Sequence, residues 1–278
     1  MLPVPVSVSE RQLAAFADQH AWQIPYDVSP RHLAGPGDAR HVTHGLAAAG
    51  WSLTSDPLSA EILLHSPDHR YRLQFDPQSA TFAWWRLRAE PAGTESGWYA
   101  EFGQLVPAEV LAHLTDALLA SPSHLPDPWQ TVTAAGWLRD PDGTAHSPDS
   151  MCTVELRPVS EFRERPSWRV EVRQPDHGSF PGPRIWHAFF DERAPAHLVG
   201  AFLAALADHR PLQRGMFDRT AHYSAVKESS ALRAQQVVDA HTSRIKALGG
   251  QVRAARRNRP KATTPRARAG STQPAARR

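Results

Sequence analysis

Apolar positions along this chain recur first at helical spacing and then in alternation, and the whole succession is stated twice. Ser9-Glu10-Arg11-Gln12 opens the first helical stretch, with Ser9 as cap, Gln12 three residues on and Leu13, Ala14 and Phe16 as its apolar side. After Gly35-Pro36-Gly37 the pattern predicts a second amphipathic helix at about 38–49, where Val42 and Leu46 share a face and Gly50 stops the turn. Alternation then predicts five strands, at 52–55, 61–65, 70–75, 81–89 and 97–102, separated by turn signals of which Ser66-Pro67-Asp68 is the clearest. From Pro107 to Ala120 the period returns to helical, with Val110, Leu111, Leu114 and Leu118 on one stripe.

The second statement follows a proline-rich linker at 122–128. Ala48-Ala49-Gly50-Trp51 returns as Ala134-Ala135-Gly136-Trp137, Ser66-Pro67-Asp68 as Ser147-Pro148-Asp149, and Trp98-Tyr99-Ala100-Glu101-Phe102 as Trp186-His187-Ala188-Phe189-Phe190. The closing helix returns as Pro195 to about His209. Partners lie 81 residues apart at the Ser-Pro-Asp turn and 88 apart at the closing helix, far longer than a solenoid repeat. The implied fold is α+β: two tandem repeats, each an antiparallel sheet of four or five strands closed by a C-terminal helix, the two sheets packing as a pseudo-symmetric pair. The divisions are an N-terminal helix and lead-in (1–40), repeat 1 (41–121), the linker (122–128), repeat 2 (129–210), a helical extension (211–250) and a disordered basic tail (251–278). In the extension Val238, Ile245 and Val252 are spaced by seven, but Gly249-Gly250 interrupts the run, each glycine costing about 1 kcal/mol in a helix interior.

Charge changes this picture more than composition does. The net charge is only +3, yet eleven of the 31 basic residues and none of the 28 acidic ones lie beyond Asp239, so the body is acidic and the end strongly basic. From Gln251 onward, arginine, alanine, proline and threonine without large hydrophobes cannot form a core. The lone Cys152 excludes an intramolecular disulfide, and its place beside Val154 and Leu156 reads as a small buried hydrophobe. The first residues carry no basic leader and no stretch approaches the ~20 apolar residues of a membrane span, so a cytoplasmic protein without membrane contact is expected.

The quoted anchors, taken together, resemble the SPDY domain of actinobacteria, a domain of unknown function usually found in tandem. The resemblance covers about 41–121 and 129–209, and Pro30-Arg31-His32-Leu33-Ala34-Gly35 is similar to that family's lead-in. Neither copy keeps the tyrosine of the name, His69 and Ser150 standing there instead. The resemblance implies a streptomycete-like source, which 28 arginines against three lysines fits, and it implies no enzymatic activity.

Side-chain alternation places Tyr71, Leu73, Phe75, Trp85, Leu87, Trp98, Ala100 and Phe102 on a core face of repeat 1. The opposite face carries Arg70, Arg72, Trp84, Arg86, Arg88 and Tyr99, and arginine interleaved with aromatics is what binders of single-stranded nucleic acid use, rings stacking bases while guanidinium groups meet phosphates. The alternative is an ordinary solvated face with arginine stems lying over tryptophan. In repeat 2 the same face is diluted by Glu155 and Glu171. Trp51, Trp137, Trp98 and Trp186, at matching places, read as core. No Walker loop, Gly-x-Ser-x-Gly or Gly-x-Gly-x-x-Gly occurs, the fifteen histidines lack metal-site spacing, and Asp140-Pro141-Asp142-Gly143 reads as a turn, so neither metal nor cofactor is expected. These observations point to a non-enzymatic protein associated with nucleic acid, DNA or RNA. It would bind through that face and through the tail cations Arg253, Arg256, Arg257, Arg259, Lys261, Arg266 and Arg268. The competing expectation is a protein–protein interaction module that the tail tethers near nucleic acid.

Overall fold

A computed structural model describes residues 8–258 apart from 55, 57–58, 121–126, 159–165, 177 and 179, and apart from the side chains of 255, 256 and 258. The chain runs α1 (Glu10–Ala21), β1 (Pro25–Ser29), α2 (Arg40–Ala48), β2 (Ser52–Leu53), β3 (Ile62–His65), β4 (Tyr71–Phe75), β5 (Ala83–Ala89), β6 (Trp98–Gly103) and α3 (Ala108–Leu119). There follow α4 (Pro128–Ala134), β7 (Leu138–Arg139), β8 (Thr144–His146), β9 (Cys152–Arg157), β10 (Ser167–Arg173), β11 (Arg184–Phe190) and α5 (Ala196–Ala207). The last elements are β12 (Leu212–Gly215), β13 (Val226–Ser229) and α6 (Ala234–Asn258).

Local chemistry accounts for the repeated anchors. Ser9 and Gln12 exchange hydrogen bonds as a capping box on α1. The Ala-Ala-Gly-Trp sequence is a helix stop: Gly50 and Gly136 hold φ +85° and +80°, the left-handed conformation only glycine adopts without strain. Trp51 N–H then donates to Leu46 O and Trp137 N–H to Val132 O, both at 3.1 Å, satisfying carbonyls the helix end would leave bare. Each tryptophan is thereby pinned into the core, 2% and 5% exposed. In the Ser-Pro-Asp turn, Ser66 Oγ donates to Asp68 Oδ1 at 2.5 Å and accepts from Tyr71 N–H at 2.9 Å, and Ser147 does the same with Asp149 and Cys152 at the same distances. His69 and Ser150 occupy positive φ at the end of this turn.

The strands join in one ten-stranded antiparallel sheet ordered β2-β3-β4-β5-β6-β11-β10-β9-β8-β7. Each half supplies five strands and mirrors the other across the β6–β11 seam, where Ala100, Glu101 and Phe102 pair with Phe190, Phe189 and Ala188. The expected pair of packed sheets is therefore corrected. The halves meet edge to edge, because β6 and β11 each present a row of unpaired N–H and C=O groups that the other satisfies. Helices α2, α3, α5 and α4 pack side by side in that order, and their apolar faces meet the sheet in one continuous cluster that includes Trp85, Trp98, Phe102, Trp186, Phe190 and Phe202. Cys152 lies in it, fully buried, its thiol pushed well up by desolvation.

The expected helical extension over 211–250 is also corrected. Residues 212–229 supply β12 and β13, which flank the unforeseen β1 in a three-stranded sheet ordered β12-β1-β13. Helix α6 begins only at Ala234 and continues through Gly249-Gly250 to Asn258, so the tail expected to be disordered from 251 is helical over its first eight residues. Packing overrides the propensity of the two glycines: Val238, Ile245 and Leu248 are buried, and Arg244 binds Asp116 of α3 at 2.6 and 2.9 Å and the His41 carbonyl of α2 at 2.8 Å. Gly249 passes over the Ala48 carbonyl, so a small residue suits that crossing.

Candidate nucleic-acid interface

The helices cover one face of the ten-stranded sheet and leave the other free of them. Cross-strand pairing sets its side chains in rows, since directly opposed residues point the same way. One row runs His65, Arg72, Arg88, Tyr99 across β3 to β6. The next runs Gln74, Arg86, Glu101, Phe189, Arg169, Glu155 across β4 to β6 and on through β11 to β9.

Within these rows the arginines differ in kind. Arg72 and Arg88 are exposed and directly opposed, neither forms an ion pair with a described carboxylate, and the Arg88 guanidinium lies over the Tyr99 ring at 5.5 Å. Arg86 donates to Ser79 Oγ at 3.0 Å and Thr81 Oγ1 at 2.6 Å. Arg70 falls just outside β4 and pairs with Glu95, so its charge is already compensated. Trp84 sits at an irregularity between Ala83 and Trp85, half-buried and edge-on to Phe75 at 6.1 Å. It is thus no free stacking platform. Strict alternation predicts an open position there, but the register shifts at this point and Phe75 meets the indole.

At the seam the face dips into a cavity of about 360 Å³ lined by Thr81, Glu101, Arg157, Arg169, Arg184, His187 and Phe189. Tyr99 OH donates to Glu101 Oε2 at 2.8 Å and His187 Nε2 lies 3.3 Å from Oε1. The His187 contact is the main reason that Glu101 is held below the usual carboxylate range, while desolvation and Glu101 push the Tyr99 phenol up to about 12. On the second half Glu171 binds Arg169, Arg173 and Arg184, and Glu155 binds Arg157, so the cations there are largely compensated. The contrast between halves follows the sequence pattern. Of the tail cations, Arg253 and Arg257 stand on α6, whereas the Arg256 side chain and Arg259, Lys261, Arg266 and Arg268 lie outside the described residues.

Several buried polar residues carry no signal in the linear pattern. Arg31 binds the Ala205 and Arg210 carbonyls at 2.8 and 2.7 Å, closing the end of α5. Arg214, 3% exposed, forms a two-pronged pair with Glu109 at 2.6 and 3.0 Å. His44 Nδ1 meets His241 Nε2 at 3.2 Å beneath α6. Their partners lie over a hundred positions away, beyond any local pattern. Among the described residues no group of three or more histidine, cysteine or acidic side chains is placed to hold a metal, and no helix is long and apolar enough to cross a membrane.

Compared with known families, residues 65–125 and 146–212 each match SPDY, a domain of unknown function (DUF317). Both matches begin at the residue before the Ser-Pro-Asp turn and run past the closing helix. No curated protein and no solved structure matches the chain.

Proposed function

We propose that this protein, which carries two SPDY domains, is a non-enzymatic, cytoplasmic nucleic-acid-associated protein that holds a single strand on the helix-free face of its first half. The observation that carries the reading is the opposed pair Arg72 and Arg88, exposed and without a carboxylate partner among the described residues, beside Tyr99. Guanidinium groups so placed attract phosphate, and a ring beside them offers a base a surface to stack on. The acid-free C-terminal run adds attraction that is blind to sequence and offsets repulsion by the acidic body. Filter binding of a labelled oligonucleotide across a salt series tests this. Replacing Arg72 and Arg88 with alanine should flatten the log–log slope by about 1.4, each lost phosphate contact on a single strand contributing about 0.7. An unchanged slope would remove the face from the interface.

One observation favours a protein partner instead. Trp22 and Phe217 are 92% and 95% exposed, and the Met216 N–H to Ile24 O bond of 3.0 Å brings them to one corner with the partly exposed Ile24 and Met216. Large apolar side chains this exposed at one corner suit an interaction surface. If Trp22→Ser with Phe217→Ser abolishes co-purification of a specific partner while oligonucleotide binding is absent in the wild type, the second reading replaces the first.

A further inference from the structure

The cavity at the seam brings together three kinds of side chain that the packing of the core does not use. Phe189 is half-buried on the open face, outside the apolar cluster beneath the helices, and its ring meets no other ring among the described residues. Pairing sets it directly between Glu101 of β6 and Arg169 of β10. Arg157 and Arg184 stand with it around the same cavity of about 360 Å³, a size that suits a small planar ligand. A phenylalanine left open at the centre of a sheet offers that ligand a face to stack on.

Glu101 supplies selectivity. Tyr99 OH donates to Oε2 at 2.8 Å and His187 Nε2 lies 3.3 Å from Oε1, so the carboxylate is fixed in place. The His187 contact also keeps it ionised, below the usual carboxylate range. An ionised carboxylate only accepts hydrogen bonds, and each oxygen, with two lone pairs and one such partner, keeps an acceptor site. Two acceptors side by side call for two donors side by side. Guanine presents that pair on its Watson–Crick edge, N1–H beside N2–H₂. Adenine and cytosine set an amine beside a bare ring nitrogen that a carboxylate repels, and thymine and uracil flank a single N–H with carbonyls. Across the cavity Arg157, Arg169 and Arg184 each bind Glu155 or Glu171 through one nitrogen, which leaves further N–H donors for phosphate.

We propose that the seam cavity binds a guanine base, its ring on Phe189, its N1–H and N2–H₂ on the two oxygens of Glu101 and its phosphate toward Arg157, Arg169 and Arg184. This rests on the strand binding proposed above and deepens it, since the first half holds the strand and the seam selects one base of it. Tyr99 and Glu101 stand two residues apart on β6, about 7 Å along the strand, so a base on Tyr99 has its neighbour at the seam.

The test titrates the full-length protein against labelled thymidine strands of about ten nucleotides with one central guanine, adenine or cytosine, and against guanosine and adenosine monophosphates. The guanine strand should bind about tenfold more tightly than the other two, the discrimination of a two-pronged base contact. Glu101→Gln should bring the three to within about twofold of one another, and this ratio, unlike overall affinity, does not respond to the lost charge. Phe189→Leu, on the open face, should weaken the guanine strand about tenfold by removing the stacking ring. Equal affinity of the wild type for the three strands overturns the guanine site and leaves strand binding in place. A guanine preference that survives both substitutions overturns it as well. Saturation by guanosine but not adenosine monophosphate, with no strand bound, overturns strand binding and upholds the site, whereas binding of none of these ligands overturns both.

Discussion

At the scale of single residues, the two adjacent tryptophans of β5 separate packing from surface. Trp85 is 2% exposed and its ring lies tilted against Phe75 at 4.1 Å, so Trp85→Ala should cost about 3–5 kcal/mol, whereas half-buried Trp84 should cost distinctly less. Urea unfolding of the two variants side by side measures the difference, and equal losses would place Trp84 in the core proper. The buried Arg214–Glu109 pair gives a second expectation. Arg214→Met leaves the Glu109 carboxylate without the guanidinium that holds its charged form below the usual carboxylate range, and breaking such a pair from one side costs about 3–5 kcal/mol. The companion change Arg214→Met with Glu109→Leu should recover much of the loss, because it removes the stranded charge along with its partner.

At the scale of elements, α6 is held by a seam that acid should loosen. Beneath it His241 faces His44 and His41 of α2 and the Phe16 ring of α1, with Arg244, Arg40 and Asp38 nearby. Burial is the main cause that lowers His44 to about 4 and His241 to about 3. A histidine whose folded pKa is depressed binds its proton more readily once released, so the docked state loses stability as pH falls from about 6.5 toward 4. The neighbouring acids Asp38 and Glu109, both held below the usual carboxylate range, add to that loss only lower down, as pH falls below about 4. Protection of the α6 amides relative to their intrinsic exchange rates should therefore fall between pH 6.5 and 4.5, and His241→Phe, whose ring can also stack on Phe16, should flatten that dependence. The same helix tests propensity: a Cβ on Gly250 meets nothing within 4 Å, so Gly250→Ala should stabilise by about 0.5–1 kcal/mol in thermal melting.

At the scale of the whole molecule, the seam makes the halves interdependent. Besides the β6–β11 ladder, Phe102 meets Phe190 at 5.4 Å and Phe202 at 5.5 Å, so splitting the chain bares both a sheet edge and part of the core. Residues 1–120 expressed alone should self-associate rather than remain monomeric in sedimentation, since an unpaired strand backed by apolar side chains is a template for another chain. Gly103 allows the close approach, because a Cβ there would come within 3.2 Å of the His187 backbone. Gly103→Val should weaken the full-length protein at this seam.

What the linear pattern determined was everything that depends on neighbours: the α1 cap, the glycine stops before Trp51 and Trp137, the Ser-Pro-Asp turns, the five strands of the first repeat, the two closing helices and the sorting of Trp85 inward and Arg72 and Arg88 outward. Each follows from periodicity or from a hydrogen bond spanning at most five residues. Tertiary structure alone decided how the halves join, that Pro25–Ser29 is a strand and that α6 survives two glycines. It also set which arginines of the open face pair with described carboxylates, and it brought His32 to Asp149. The physical reason is common to all of these. Edge pairing, helix docking and buried ion pairs join groups separated by many tens of residues, and no local propensity encodes which distant partner satisfies them.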